Sequence, residues 1–209
     1  MQQPGPTARF YRKRLPHWEV ENGTYFVTVG LFGALPPQIA AGIRRIAGKA
    51  AGGGDAGLRK SRAGFLAMEN WLHRFEGRRD LENPRVASEV EAFIRENSAN
   101  GFWEMHAWVL MPNHAHLLFT PTPACIGACP GDRGTLEWLM STFKRVTARR
   151  VNRSRGTRGM RFWQREWFDH WVRCPAEFER IVAYIRLNPV RACLASDAHP
   201  WPHLWVANP

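Results

Sequence analysis

The chain has 209 residues and 44% apolar content, enough to bury a core as one domain, with or without an insertion, and too apolar to be disordered throughout. Its 29 Lys and Arg oppose 18 Asp and Glu, a net charge of +11 in which arginine far outnumbers lysine, so the expected partner is a polyanion, most commonly nucleic acid. No apolar run approaches the roughly eighteen residues a membrane span needs, and Met1–Pro6 has no signal-like apolar stretch, which makes the cytoplasm the expected compartment.

Residues 1–22 are polar and basic, with Arg9, Arg12, Lys13 and Arg14 around Phe10 and Tyr11 and no helical or strand periodicity. They read as an arm that contacts nucleic acid or as a solvated tail. After the turn signal Asn22-Gly23, residues 24–29 are β-branched or aromatic and predict the first strand. Residues 34–82 are longer than a minimal connection and read as an inserted helical segment. One helix is opened by Pro36-Pro37, Gly52-Gly53-Gly54 makes a loop, and a second helix is expected around Leu66 to Phe75. Asn83-Pro84 starts a clearer helix with Val86, Val90, Phe93 and Ile94 on one face.

A second strand is expected over residues 102–110, then a hairpin turn at Met111–Asn113 and a third strand beginning at His114. Residues 121–134 read as a loop; Cys125 and Cys129 there suit structural zinc poorly, and four cysteines without secretory features imply no disulfide framework. A helix then carries Leu136, Leu139, Met140, Phe143, Thr147 and Val151 on one face, and Lys144, Arg145, Arg149, Arg150 and Arg153 elsewhere. Almost no acidic residues oppose this charge, which favours phosphate contact. The aromatic run 161–173 predicts a fourth strand, and flat Trp and Arg faces can stack unpaired bases, so Arg161, Trp163 and Arg165 join the candidate nucleic-acid set. A last helix with Phe178, Ile181, Val182 and Ile185 buried is expected to be interrupted at Asn188-Pro189, and residues 195–209 to pack back as an irregular tail.

The chemistry centres on His114-Ala115-His116. In a strand, residues i and i+2 leave by the same face, so the two imidazoles can share a metal, and a third ligand must come from elsewhere. On the last helix Tyr184 and Asn188 lie one turn apart at the edge of the apolar stripe. Brought beside the histidines they make a coherent set, with His114, His116 and Asn188 as metal ligands and Tyr184 as a nucleophile towards phosphate.

Four blocks carry a resemblance: residues 23–28, residues 106–118 around Met-Pro-Asn-His-Ala-His, Phe162-Trp-Gln-Arg-Glu-Trp-Phe-Asp169, and Tyr184-Ile-Arg-Leu-Asn-Pro-Val-Arg-Ala192. Together they resemble the REP-associated tyrosine transposases, which belong to the single-tyrosine His-hydrophobe-His (HUH) transposases of insertion sequences. The resemblance covers nearly the whole chain as one HUH transposase-like domain over 1–209. It implies an α+β fold with a ferredoxin-like core, a four-stranded antiparallel sheet with helices mainly on one face. It also implies a divalent Mg2+ or Mn2+ cofactor and a partner of single-stranded or hairpin DNA, acted on by a monomer or homodimer. Tyr184 would attack a DNA phosphate, giving a 5′-phosphotyrosyl intermediate and a free 3′-hydroxyl. Tyr11 and Tyr25 lie near the N-terminus, away from any such pairing. Cys193 stands where glycine is expected, at a position that often needs a left-handed backbone. Two other readings remain open at this point: a nucleic-acid-binding regulator without turnover, and a hydrolase in which water attacks.

Overall fold

The computed structural model describes residues 7–12, 15–48, 55–131 and 133–207. Strands β1 (Thr7–Arg12) and β2 (Pro16–Val20) form a hairpin of their own. The main sheet uses β3 (Tyr25–Gly30), β4 (Trp103–Met111), β5 (His114–Pro121), β6 (Phe168–Trp171) and β7 (Leu204–Val206) in the order β6-β3-β5-β4-β7, antiparallel throughout. Numbered as they occur, the first four of these strands lie in the order 4-1-3-2, which is the ferredoxin-like arrangement. The fifth is contributed by the tail expected to be irregular: it pairs with the outer edge of β4, and Trp201 Nε1 donates to the Leu110 carbonyl at 2.8 Å.

Every residue of β3 is buried, which requires cover on both faces of the sheet. On one face Val27, Val29, Leu117, Phe119, Trp108 and Leu110 meet helices α3 (Pro84–Ala99) and α5 (Thr135–Ser154) through Phe93, Ile94, Met140 and Phe143. On the other, Phe26, Ala107, Val109, Met111 and Leu118 meet α6 (Pro175–Arg191) through Ile185. The helices α1 (Pro37–Gly48) and α2 (Asp55–Leu72) pack on each other, and α2 sends Phe65 against Phe26, Phe168 and Tyr184 on the α6 side. Helical cover is therefore two-sided, because the residue alternation of β3 to β5 leaves an apolar set on each face.

Four local expectations are corrected. Within the basic N-terminal segment β1 and β2 pair with each other rather than forming a loose arm, and His17 is fully buried and bonded to Asp169 of β6. The segment 121–134 holds a short helix, α4 (Pro123–Ala128), which Thr122 starts by accepting from the Cys125 N–H at 3.2 Å with proline at the first position. The fourth strand covers only Phe168–Trp171, although Phe162 and Gln164 still exchange backbone bonds with Phe32 and Gly30. Helix α6 continues through Pro189 to Arg191, because a proline in the final turn removes a single helical bond. Beyond it Cys193 (φ 56°) and Leu194 donate to the Val190 and Pro189 carbonyls at 2.9 and 2.8 Å, the two bonds of a Schellman cap. Among the described residues no helix is long and apolar enough to cross a membrane.

Candidate active site

The β4–β5 turn fixes the first histidine. Asn113 is fully buried; its amide donates to the Leu72 carbonyl at 2.9 Å and its Oδ1 lies 2.7 Å from His114 Nδ1. A carboxamide oxygen only accepts, so His114 carries its proton on Nδ1 and leaves the Nε2 lone pair free. His116 is oriented by its cross-strand partner Thr28, whose hydroxyl lies 2.7 Å from Nδ1. The two Nε2 atoms end 3.1 Å apart, both residues fully buried. This is how histidines are presented to a metal, with one ring nitrogen braced and the other directed at a common point.

Helix α6 supplies the remaining two predicted residues. Asn188 Nδ2 is 3.3 Å from His116 Nε2, while its buried Oδ1 has no hydrogen-bond partner among the described residues. Turning the amide over would present that oxygen in the place of the nitrogen. Tyr184 sets its ring edge-on to Phe26 and His116, with centroids 5.9 and 5.4 Å away. The structure thus brings His114, His116, Asn188 and Tyr184 together from β5 and α6 within one chain.

The same place holds a residue that sequence reasoning missed. Glu69 of α2 is 4% exposed; it accepts a hydrogen bond from the Tyr184 hydroxyl, and its Oε2 lies 3.4 Å from His116 Nε2. Ligand atoms of Glu69, His114 and His116 all lie within 4.8 Å of one another. His73, one turn on, directs Nε2 towards the same carboxylate at 3.7 Å. The available signal was a Glu-x-x-x-His pair near the end of a helix, indistinguishable in sequence from an ordinary solvated helix face. Arg191 lies beyond Asn188 with its guanidinium carbon 5.9 Å from the Tyr184 ring.

Burial shapes the protonation of this cluster. His114 is pushed well below the ordinary histidine range, first by burial and then by His116, which favours the neutral, ligand-ready ring. Burial alone would raise the Glu69 carboxyl; positive charge on His116 and His114 when those rings are protonated, together with the Tyr184 hydrogen bond, outweighs it and brings it down to about 2. Tyr184 is raised by burial and then by the Glu69 charge, so the phenol keeps its proton until something offsets that charge.

The predicted nucleic-acid residues do not all behave alike. Arg145, Arg149 and Arg153 are exposed at four-residue spacing along α5, a stripe with no acidic partner shown among the described residues, on the sheet face opposite Tyr184. Arg150, in contrast, is bound to Glu96 by two bonds of 2.9 and 2.6 Å, and Lys144 donates to the Arg165 carbonyl at 2.6 Å. Arg161 and Arg165 are exposed, the former 5.5 Å from the centre of the half-exposed Phe32 ring. Trp163 is corrected from a base-stacking platform to a core residue: it is 6% exposed, packs on Phe143 and Phe162, and donates to Thr147 Oγ1 at 2.8 Å. Arg9 is exposed on β1 with its guanidinium carbon 5.4 Å from the Tyr11 ring, and Arg12 lies on the same strand. Lys13 and Arg14 lie outside the described residues.

The chain is similar to a solved structure of a REP-associated tyrosine transposase bound to a REP hairpin, with 17% sequence identity and a TM-score of 0.46 over 88% of this chain and 76% of that one. No match was found among curated proteins. The family model "Transposase IS200 like" matches residues 72–188, more than half of the chain, and takes in both histidines, Tyr184 and Asn188. The chain belongs to the IS200-like transposase family.

Proposed function

We propose that this transposase is a metal-dependent nickase and strand transferase for single-stranded DNA, acting at or beside hairpin DNA through Tyr184. The observation that carries the reading is the convergence in one buried site of two Nε2 lone pairs, the Asn188 carboxamide and a lone phenol. The donor set fits a divalent ion: two braced imidazoles and an amide oxygen suit Mn2+ and are compatible with Mg2+. A cation held by His114, His116 and Asn188 would polarise a phosphate oxygen and offset the negative charge that raises Tyr184.

The protein's own residues do the rest. Tyr184 Oη forms a bond to phosphorus as the bond from phosphorus to the 3′ oxygen breaks; the phenol gives up its proton and the leaving 3′ oxygen gains one. The result is a 5′-phosphotyrosyl adduct and a free 3′-hydroxyl, and attack by a DNA 3′-hydroxyl reverses the step. Arg191, beside the phenol, is positioned to meet the phosphate charge. The contact between Tyr184 and Glu69 within one chain supports catalysis in cis, by a monomer or by each half of a homodimer. The hairpin preference rests on the four sequence blocks, and the exposed arginines suit backbone contact. Action on chromosomal DNA in the cytoplasm follows from this reading.

The test uses labelled single-stranded hairpin DNA with Mn2+ or Mg2+ and a denaturing gel. A protein-linked DNA band that disappears in Tyr184→Phe is expected. Released fragments without a band would favour attack by water, and intact DNA would favour a binding protein.

A further inference from the structure

We infer that Glu69, delivered by the inserted helix α2, is an oxygen ligand of the divalent ion and also holds the Tyr184 hydroxyl, so that the insertion completes the catalytic centre. This rests on the metal-dependent reading above.

The first support is geometric. A Glu69 carboxylate oxygen and the two histidine nitrogens lie within 4.8 Å of one another, and the carboxylate accepts from Tyr184 at the same time. The second is an accounting of buried polar atoms. Glu69 Oε1 and Asn188 Oδ1 are both sealed from solvent without a hydrogen-bond partner among the described residues, and both belong to residues that touch His116. Such orphaned acceptors cost stability unless something is bound to them.

The third support is charge. Histidines that bind a metal are neutral, and in that state the contacts shown for the Glu69 carboxylate, from His73, His116 and Tyr184, include no fixed cation. Phe26 and Phe65 pack edge-on against the same phenol and Glu69 is buried, so water does not screen the carboxylate well. A buried carboxylate without a cation is costly, and a divalent ion held only by neutral ligands is poorly neutralised. Placing the two together resolves both.

The fourth is location. Glu69 lies outside residues 72–188, the stretch that matches the family model, and the C-terminus of its helix is tied to the histidine turn by Asn113 through the Leu72 carbonyl. The turn that aims His114 therefore also sets the height of α2 over the site.

Mn2+ binding to the full chain, followed by calorimetry or by loss of the free-ion electron paramagnetic resonance signal, tests the ligand role. Glu69→Gln and Glu69→Ala should weaken binding about 10- to 100-fold, Tyr184→Phe should leave it within about 3-fold, and His116→Ala should abolish it. Wild-type Mn2+ affinity in folded Glu69→Ala and Glu69→Gln would overturn the ligand role. Absence of binding by the wild type, or an unaffected His116→Ala, would instead bring down the metal-dependent reading itself.

The positioning role has its own readout. At saturating Mn2+, Glu69→Gln, whose amide oxygen still accepts from the phenol, should recover covalent adduct formation while Glu69→Ala does not. Equal adduct formation by Glu69→Ala and wild type at full occupancy would overturn it.

Discussion

His17 and Asp169 meet in a hydrogen bond sealed from solvent, which fastens the N-terminal hairpin to the edge strand of the main sheet. Burial pulls the His17 pKa down, but the charge and hydrogen bond of Asp169, aided by Glu166, more than compensate and push it up to about 9. A group whose folded pKa lies above its unfolded value of 6.5 stabilises the protein fully below that value and loses the contribution as pH rises through about 9. The melting temperature should therefore fall between about pH 7 and 9.5, by a contribution on the order of 2–3 kcal/mol. His17→Gln, which can still hydrogen-bond but does not titrate, should flatten this part of the profile. An equally steep alkaline decline in wild type and His17→Gln would refute the assignment.

Cys193 holds a left-handed backbone at the end of α6, where its N–H and that of Leu194 close the cap. A side chain strains that conformation and glycine does not. Cys193→Gly should raise stability by about 0.5–1 kcal/mol in urea denaturation, with Mn2+ affinity unchanged. A destabilised variant would show that the exposed thiol contributes more than its backbone costs.

Arg145, Arg149 and Arg153 form the exposed stripe of α5. If they contact phosphates, replacing all three by Gln lowers the slope of log affinity against log salt by about 2 on single-stranded DNA, each contact contributing roughly 0.7. Arg150→Gln should change the slope less, since that guanidinium already serves Glu96. Identical slopes for the triple variant and wild type would remove the stripe from the interface.

Asn188 is fully buried with an oxygen that nothing among the described residues satisfies. Asn188→Leu should melt in EDTA at or above the wild-type temperature, because an unpaired buried acceptor costs about 1–3 kcal/mol. Mn2+ should raise the melting temperature of the wild type, and that stabilisation should vanish in the same variant. A large fall in EDTA would mark the amide as structural.

Trp163 belongs to the packing between α5 and the segment that leads into β6. Trp163→Ala should cost about 3–5 kcal/mol of stability and leave the DNA affinity of the folded fraction unchanged. Weakened DNA binding with intact stability would return it to the interface.

Most strands and helices were legible from β-branched and aromatic runs or from apolar residues at helical spacing, although α2, expected around Leu66 to Phe75, runs from Asp55 to Leu72; His114, His116, Tyr184 and Asn188 were legible because motif spacing places their side chains. What escaped depended on tertiary pairing. His17 sits in a polar basic stretch whose strands are evident only once Asp169 is beside it. Trp163 reads equally well as a stacking surface or as core, and the Thr147 hydroxyl decides between them. Glu69 joins the site from 45 positions before His114, through a helix whose docking no local pattern encodes.

The arginine stripe and the phenol lie on opposite sides of one sheet. A nucleic acid that engages both has to travel round an edge of the molecule, since nothing passes between hydrogen-bonded strands. An oligonucleotide too short to turn that corner can occupy one side only. Were a duplex held at the back and a phosphodiester offered at the front, the contour length between them would select where the cut falls, and the protein would measure distance along its substrate before any base identity is consulted.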